Sequence, residues 1–294
     1  MRRRTFLALA GAAAVLPAAE ASAAGPARIA GVTRWRDGAE GFGGISGLWL
    51  GPGGAALALG DRGVLFTAEV TRDATGRIAA LRTTGAHPLR GPSGAVLPEL
   101  QRDAEGLAVA PDGRIFVSFE GRGGGRILSY AHPGAPARRV PGPPEFAGLS
   151  GNAGLESLAI DPHGRLHALP EKDGPEGFRL WAQTDTDTGW TVRTRIPPSG
   201  GFRAVATDFG PDGRFYLLER RFSLPLRFAS RLRRFTLPDP EGEVLWQSPP
   251  GRFDNLEGLA ITRDGAGRLR AAMVSDDNLM PFQRTEVVEC LLPG

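Results

Sequence analysis

Five positions recur along this 294-residue chain with chemistry that changes from one copy to the next. They are Ser46, Glu105, Glu156, Val205 and Glu257, separated by 59, 51, 49 and 52 residues. Each opens a short apolar stretch, "SGLWL", "EGLAVA", "ESLAI", "VATDF" and "EGLAI". A second set of acids follows 14 to 19 residues later: Asp61, Glu120, Glu171, Glu219 and Asp276. Carboxylates gathered in one place raise one another's pKa, and ionising them all without a cation is costly. With a backbone or Asn oxygen they make the all-oxygen shell of about 6–8 ligands that Ca2+ takes. Candidate metal ligands are therefore Asp61, Glu105, Glu156, Glu257 and Asp276, and the three glutamates are also the candidate catalytic groups. Bases stand beside the second set, at Arg62, Lys172 and Arg220, with Asn278 beyond Asp276. Cations among metal-binding acids suit an anionic substrate such as a phosphate ester. A plainer reading stands beside this one: acids at strand ends also cap loops or pair with a neighbouring arginine.

The surrounding residues say what must hold these groups. Each recurring position begins an apolar alternation, then a turn, then a second alternation. Pro111-Asp112-Gly113 and Pro211-Asp212-Gly213 are turn sequences in which Pro pre-sets φ, Asp caps and Gly takes the left-handed conformation. Pro162-His163-Gly164 and Arg263-Asp264-Gly265 are variants. A period near 50 residues built on two strands and a turn is the pattern of β-propeller blades. Outer strands are expected at 126–130 and 137–140, 178–183 and 190–196, and 231–237 and 243–247. The last repeat has one further strand, 285–292, and a spare strand at 28–35 precedes the first repeat. Pairing these two closes the ring and removes exposed edges. The fold expected is an all-β propeller of five four-stranded antiparallel blades. Six blades would need one repeat too degenerate to recognise, in the 59-residue interval. In such a blade the start of the inner strand and the end of the second lie on one face, which collects the acids there. No stretch of 10–15 residues after the N-terminal region carries a helical apolar period, which excludes an α/β fold.

Composition limits the chemistry further. One cysteine, Cys290, excludes an internal disulfide framework and a multi-cysteine metal site. The four histidines have no metal-ligand spacing, and neither a Gly-x-Ser-x-Gly elbow nor a P-loop is present. Arg2-Arg3-Arg4, the apolar run Phe6–Leu16 and Ala21-Ser22-Ala23 read as a cleaved export signal over 1–23, followed by a single domain over 24–294. The run is too short to span a bilayer, for which roughly 20 residues are needed. Arg3-Arg4-Thr5-Phe6-Leu7 resembles the twin-arginine type, so the expected location is periplasmic or secreted. Removing 1–23 takes the net charge from +3 to +1, so the arginine-rich composition does not call for nucleic acid. Within Phe222–Phe235 the arginines are expected to point outward from a loop leading into a third strand.

"FGGISGL", "GDRG", "DAEGLAV", "LESLAI", "NLEGLAI" and "VSDDN", in that order, resemble the phytase-like, esterase-like domain family of bacterial secreted propellers. The resemblance covers about Ile29–Leu292. It implies a propeller and, by analogy with calcium-dependent propeller phytases, phosphoester hydrolysis at an acidic face. Asp61, Arg62, Glu105, Glu156, Glu257, Asp276 and Asn278 are the positions it carries over. The fourth repeat departs at Val205, so five identical ligands are not implied. The expectation is a Ca2+-dependent phosphoesterase. Carboxylic-ester or lactone hydrolysis, and a non-catalytic propeller binding a ligand or partner, are the alternatives.

Overall fold

A computed structural model describes residues 26–121, 125–149, 154–171, 176–184, 189–224 and 227–294. The expected export signal and Lys172 lie outside the described residues. The strands form five antiparallel sheets of four, each a blade. Blade 1 comprises Ile45–Leu50, Ala55–Gly60, Val64–Arg72 and Ile78–Pro88, running from the axis outward. Blade 2 comprises Ala104–Val109, Ile115–Phe119, Arg126–Tyr130 and Arg138–Val140. Blade 3 follows with Leu155–Ile160, Leu166–Pro170, Phe178–Gln183 and Trp190–Ile196. Blade 4 uses Arg203–Phe209, Phe215–Ser223, Arg227–Phe235 and Glu243–Gln247. Blade 5 takes Asn255–Arg263, Leu269–Asp276 and Glu286–Leu291, and its outermost strand is Arg28–Arg34. That last pairing, with Val32 opposite Val288, joins the two ends of the propeller in one sheet. The inner strands touch in the order 1-2-3-4-5 and back to 1, so the ring is closed.

The wide interval between the first two repeats holds no sixth blade. It is taken up by the two long outer strands of blade 1 and by the connection 89–103. The turn aspartates act as their sequence implies. Asp112 Oδ1 accepts from the Arg114 amide at 3.1 Å, Asp212 Oδ1 from the Arg214 amide at 3.3 Å, and Asp264 Oδ1 from Ala266 and Arg268 at 3.0 Å. In blade 3 it is Asp161, before Pro162, that accepts from the His163 and Arg165 amides, each at 2.9 Å. His167 is a buried strand residue on Asp161, at 3.2 Å, rather than a metal ligand.

Hydrophobic burial is organised between blades. The five core clusters each join two adjacent sheets, so each interface around the ring has its own core. Each fully buried Leu, Ile or Phe contributes about 1.5–3 kcal/mol. The tryptophans sit at these seams: Trp35 packs at a tilt against Phe42, 5.2 Å between ring centroids, between blades 5 and 1, and Trp181 and Trp190 flank Phe146 at 5.7 and 5.3 Å. Phe146 comes from the α-helix Pro144–Gly148, which lies in the connection from blade 2 to blade 3. Among the described residues no helix is long and apolar enough to cross a membrane.

The blade 4 arginines differ from expectation. The third strand starts at Arg227, and Arg231 and Arg233 are buried. Both point at Glu219, which is fully buried, with N···O distances of 2.8 and 3.5 Å, and Arg231 lies 4.3 Å over the Phe202 ring. A completely buried carboxylate needs such partners, and here two strand neighbours supply them.

Candidate functional site

The recurring position has a common backbone cause. In four blades the pairing of inner and second strands skips one residue: Ser46, Glu156, Val205 and Glu257 have no partner, while their neighbours on both sides do. In blade 2 the skip falls at Glu105-Gly106. These are β-bulges, which re-aim a side chain out of the ladder. They turn the recurring side chains toward the axis, and four of them (Ser46, Glu105, Glu156 and Val205) line one narrow axial void. The next residue must be small because the neighbouring inner strand passes against it. A Cβ at Gly106 would lie 2.7 Å from the Leu158 amide nitrogen of blade 3.

Register then fixes the second set. Gly60, Phe119, Pro170, Glu219 and Ser275 pair with the residue before each bulge, so the residue that comes next on the second strand or just past its end is Asp61, Glu120, Glu171, Arg220 or Asp276. Arg220, not Glu219, occupies the place in blade 4. A third position lies two residues before each bulge: Gly44, Asp103, Gly154, Arg203 and Asn255. The Asp61, Glu120 and Glu171 amides donate to the carbonyls of Gly44, Asp103 and Gly154 at 2.8, 3.0 and 3.3 Å, which locks this geometry.

Each blade thus contributes a triple to the mouth of the channel. Blade 1 gives Gly44, Ser46 and Asp61, and blade 2 gives Asp103, Glu105 and Glu120. Blade 3 gives Gly154, Glu156 and Glu171, blade 4 gives Arg203, Val205 and Arg220, and blade 5 gives Asn255, Glu257 and Asp276. Positive charge enters from blade 4 and reaches both its neighbours. Arg203 Nη1 lies 3.3 Å from Glu171 Oε1, and Arg220 Nη2 lies 3.7 Å from the same oxygen. Arg220 Nη1 donates to Asn255 Oδ1 at 2.6 Å and to Glu257. Asn255 Nδ2 bridges Glu257 and Asp276 at 2.8 and 3.4 Å.

Blade 2, across the ring, is entirely acidic. Among the described residues, Asp103, Glu105 and Glu120 are the one group of three whose ligand atoms lie within 4.8 Å of one another. Burial, reinforced by Glu156 and Glu257, holds Glu105 well above the usual carboxylate range, and burial with Glu120 and Glu257 does the same for Glu156. Burial raises Asp61 to about 6 despite Arg62, and burial with Glu257 raises Asp276 to about 8. Burial opposes the charge of Arg220, but Glu257, Glu156 and Glu171 outweigh it and raise its pKa.

The donor set fits a hard divalent cation. It is all oxygen, it is over-charged, and one of its members, Asp61 Oδ1, is buried with no hydrogen-bond partner. Gly44 keeps room for that oxygen: it sits at φ +59°, where a Cβ would collide with the Asp61 carboxylate. Asp61 and Asp103 also border a cavity of about 510 Å3 whose rim carries Arg62 and Arg102. Arg102 escapes a reading of the sequence, since only the fold of 89–103 brings it beside Gly63. Asn278 is exposed in a turn at φ +47°, its amide donating to Asp276 Oδ1 at 2.6 Å.

Without a bound cation the raised carboxyls hold protons that the unfolded chain has already released. The folded state then binds more protons, so stability falls as pH rises from about 4 to about 8. The carboxylates held low at Asp73, Asp112, Asp161 and Asp264 work in the opposite direction, but only below pH 4. Asp61 alone corresponds to about 3 kcal/mol. The melting temperature in chelator is therefore expected to drop between pH 5 and pH 8. A flat or rising profile would contradict this electrostatic description.

A five-bladed propeller with an acidic mouth polarised between blades 2 and 4 is the class this geometry defines. The phytase-like family model described as "Esterase-like activity of phytase" matches residues 40–279, and the chain belongs to that family. No curated protein matches it. The fold is similar to the PQQ-bound aldose sugar dehydrogenase of Streptomyces coelicolor, with TM-score 0.53, 15% identity, and 89% of this chain and 98% of that one covered. It is also similar to the α-L-arabinofuranosidase of Podospora anserina in complex with cellotriose, with TM-score 0.52, 12% identity, and 92% and 98% covered. Likeness at such identity describes the propeller and not its chemistry.

Proposed function

We propose that this protein is an exported, Ca2+-dependent hydrolase of anionic esters, phosphoric monoesters foremost, acting at the acidic mouth beside blades 1 and 2. The observation that carries this reading is the Asp103–Glu105–Glu120 cluster next to a cavity rimmed by Arg62 and Arg102. Those three acids with Asp61 would hold the cation, which supplies Lewis-acid polarisation of the ester and charge neutralisation. Arg62 and Arg102 bind the anionic oxygens of the substrate. Lys172, next in sequence to Glu171, is the further candidate for that role. Arg220 serves the carboxylates around it rather than the substrate. Glu156, whose pKa burial holds well above the usual carboxylate range, is the candidate to give a proton to a leaving alkoxide. Glu257, fixed by Arg220 and Asn255, keeps the buried acids in register.

A second reading has its own support. Leu100, Phe222, Leu224, Met280 and Phe282 are 48–85% exposed; Phe222 lies near the end of the second strand of blade 4, and the others lie in the connections that follow or precede the strands at this same face. An apolar rim suits the acyl group of a carboxylic ester. Turnover of p-nitrophenyl phosphate, phytate and short p-nitrophenyl acyl esters, each with Ca2+ or chelator, separates the readings. Cation-stimulated release from the phosphates is expected. Release from acyl esters alone would move the assignment to carboxylesterase. A Ca2+-raised melting temperature without any turnover would leave a binding propeller.

A further inference from the structure

The channel does not continue open from the acidic mouth to the other face. Two residues past each bulge stand Leu48, Leu107, Leu158, Thr207 and Leu259, which close around the axial void. Beyond this layer, at the end of the propeller that carries the hairpin turns, lies a separate cavity of about 520 Å3. Its walls include Trp49, Leu50, Val109, Ile160, Phe209 and Ile261, so all five blades contribute. A volume of about 300–1,000 Å3 with apolar walls and few polar groups is typical of small-molecule sites.

Among the few polar side chains that border it, Asp208 stands out. At its place in the other blades stand Trp49, Ala108, Ala159 and Ala260. Its Oδ2 accepts from the Ile261 amide at 2.7 Å, and among the described residues it has no cationic partner. Other acids of this face are matched: Asp112 by Arg114 at 2.7 Å, Asp161 by Arg165 at 2.8 Å, and Asp264 by Arg270 at 2.9 Å. Asp212 accepts from the Tyr216 hydroxyl at 2.8 Å. Two other charged residues border the cavity. Asp161 is committed to Arg165 and His167, and Arg263 donates to the Gly267 carbonyl at 2.8 Å.

We propose that this cavity is a second ligand site, for a small primary ammonium ion with an aromatic or branched apolar body, and that Asp208 is its counter-ion. A half-buried carboxylate without a cation, in an apolar wall, is complementary to an apolar molecule that brings its own positive charge. Trp49 and Phe209 add aromatic rings, whose faces attract organic cations. The site is independent of the acidic mouth, from which the leucine layer separates it.

Calorimetric titration of the whole protein with phenethylammonium chloride, and with phenethyl alcohol as the uncharged counterpart, tests this. The ammonium is expected to bind saturably and at least about tenfold more tightly than the alcohol. Its affinity should rise between pH 6 and pH 8, as Asp208, raised by burial to about 7, loses its proton. Asp208→Asn keeps an acceptor for the Ile261 amide and should weaken binding about tenfold or more. Val109→Phe, which narrows the cavity from the wall that blade 2 supplies, should also weaken binding, and gives a second answer if Asp208→Asn does not fold. Chelator should leave the affinity unchanged. Equal binding of alcohol and ammonium, unchanged affinity in both variants, or no saturable binding up to about 10 mM would overturn the assignment.

Discussion

Glu105→Gln is expected to lower cation-dependent kcat/KM about a hundredfold or more and to remove the stabilisation that Ca2+ gives. Glu105 is the bulge residue of blade 2, the one blade whose three mouth positions are all acidic. Glutamine preserves its shape and one carbonyl oxygen but withdraws a charge from the centre of the cluster. Ca2+ at about a hundredfold excess over its Kd should stabilise the native protein by about 2.7 kcal/mol, and that increment is what the variant should lose. In chelator the sign reverses. Glu105 is crowded by Glu156, Glu257, Glu120 and Asp103, so removing its charge relieves repulsion and the variant should melt at or above the native temperature at pH 8. The pair of melts therefore separates a ligand from a residue that merely supports the fold. A ligand gives a higher or equal temperature without Ca2+ and no gain with it, whereas a structural glutamate would give a lower temperature in both. Thermal scans of the two proteins at pH 8 decide this before any substrate is known.

The architecture was legible because its punctuation is local. The Pro-Asp-Gly turns and the apolar alternations on either side of them depend only on near neighbours, and their repetition at about 50 residues leaves few folds open. The glutamates were legible for the same reason, since each opens its inner strand. What gathers them is not local. The bulge at each recurring position appears only when inner and second strands are paired, and no feature of "EGLAV" alone announces it. The misplacement of Glu219 shows the cost. In "LLERRF" the apolar alternation does not mark where the second strand leaves the sheet, and a shift of one residue exchanges an acid for Arg220. The outward arginines failed likewise, because burial of Arg231 and Arg233 follows from a strand that begins earlier and from Glu219 facing inward. A signal for the third set was present two residues before each bulge, where Gly44, Asp103, Gly154, Arg203 and Asn255 differ in charge while the residue after each is apolar in every blade.

Arg220→Met is expected to cost about 3–5 kcal/mol at pH 8, the usual consequence of removing one partner from a buried charged set. At the scale of a large domain this lowers Tm by about 10 °C. Methionine keeps the apolar stem near Phe228, whose ring lies 5.9 Å from the Arg220 guanidinium, so the loss reports charge and hydrogen bonding more than packing. Glu257, Glu171 and Asn255 all lose a partner at once. Two conditions should return part of the loss, and each follows from what the arginine does. At pH 5 more of the surrounding acids are protonated, the need for a counter-ion shrinks, and the gap to the native protein should narrow. At pH 8 Ca2+ should raise the variant's Tm by more than it raises that of the native protein, because a divalent cation can take over part of the neutralisation. An arginine held there only to bind substrate would show neither trend, and its removal would change KM while leaving the melting curves superimposed. The distinction matters for reading the whole ring: if Arg220 behaves as a counter-ion, the electrostatic axis from blade 4 to blade 2 is built into the fold, and the cation is directed to Asp103, Glu105 and Glu120, with Asp61, because Glu171 and Glu257 are already answered by arginine.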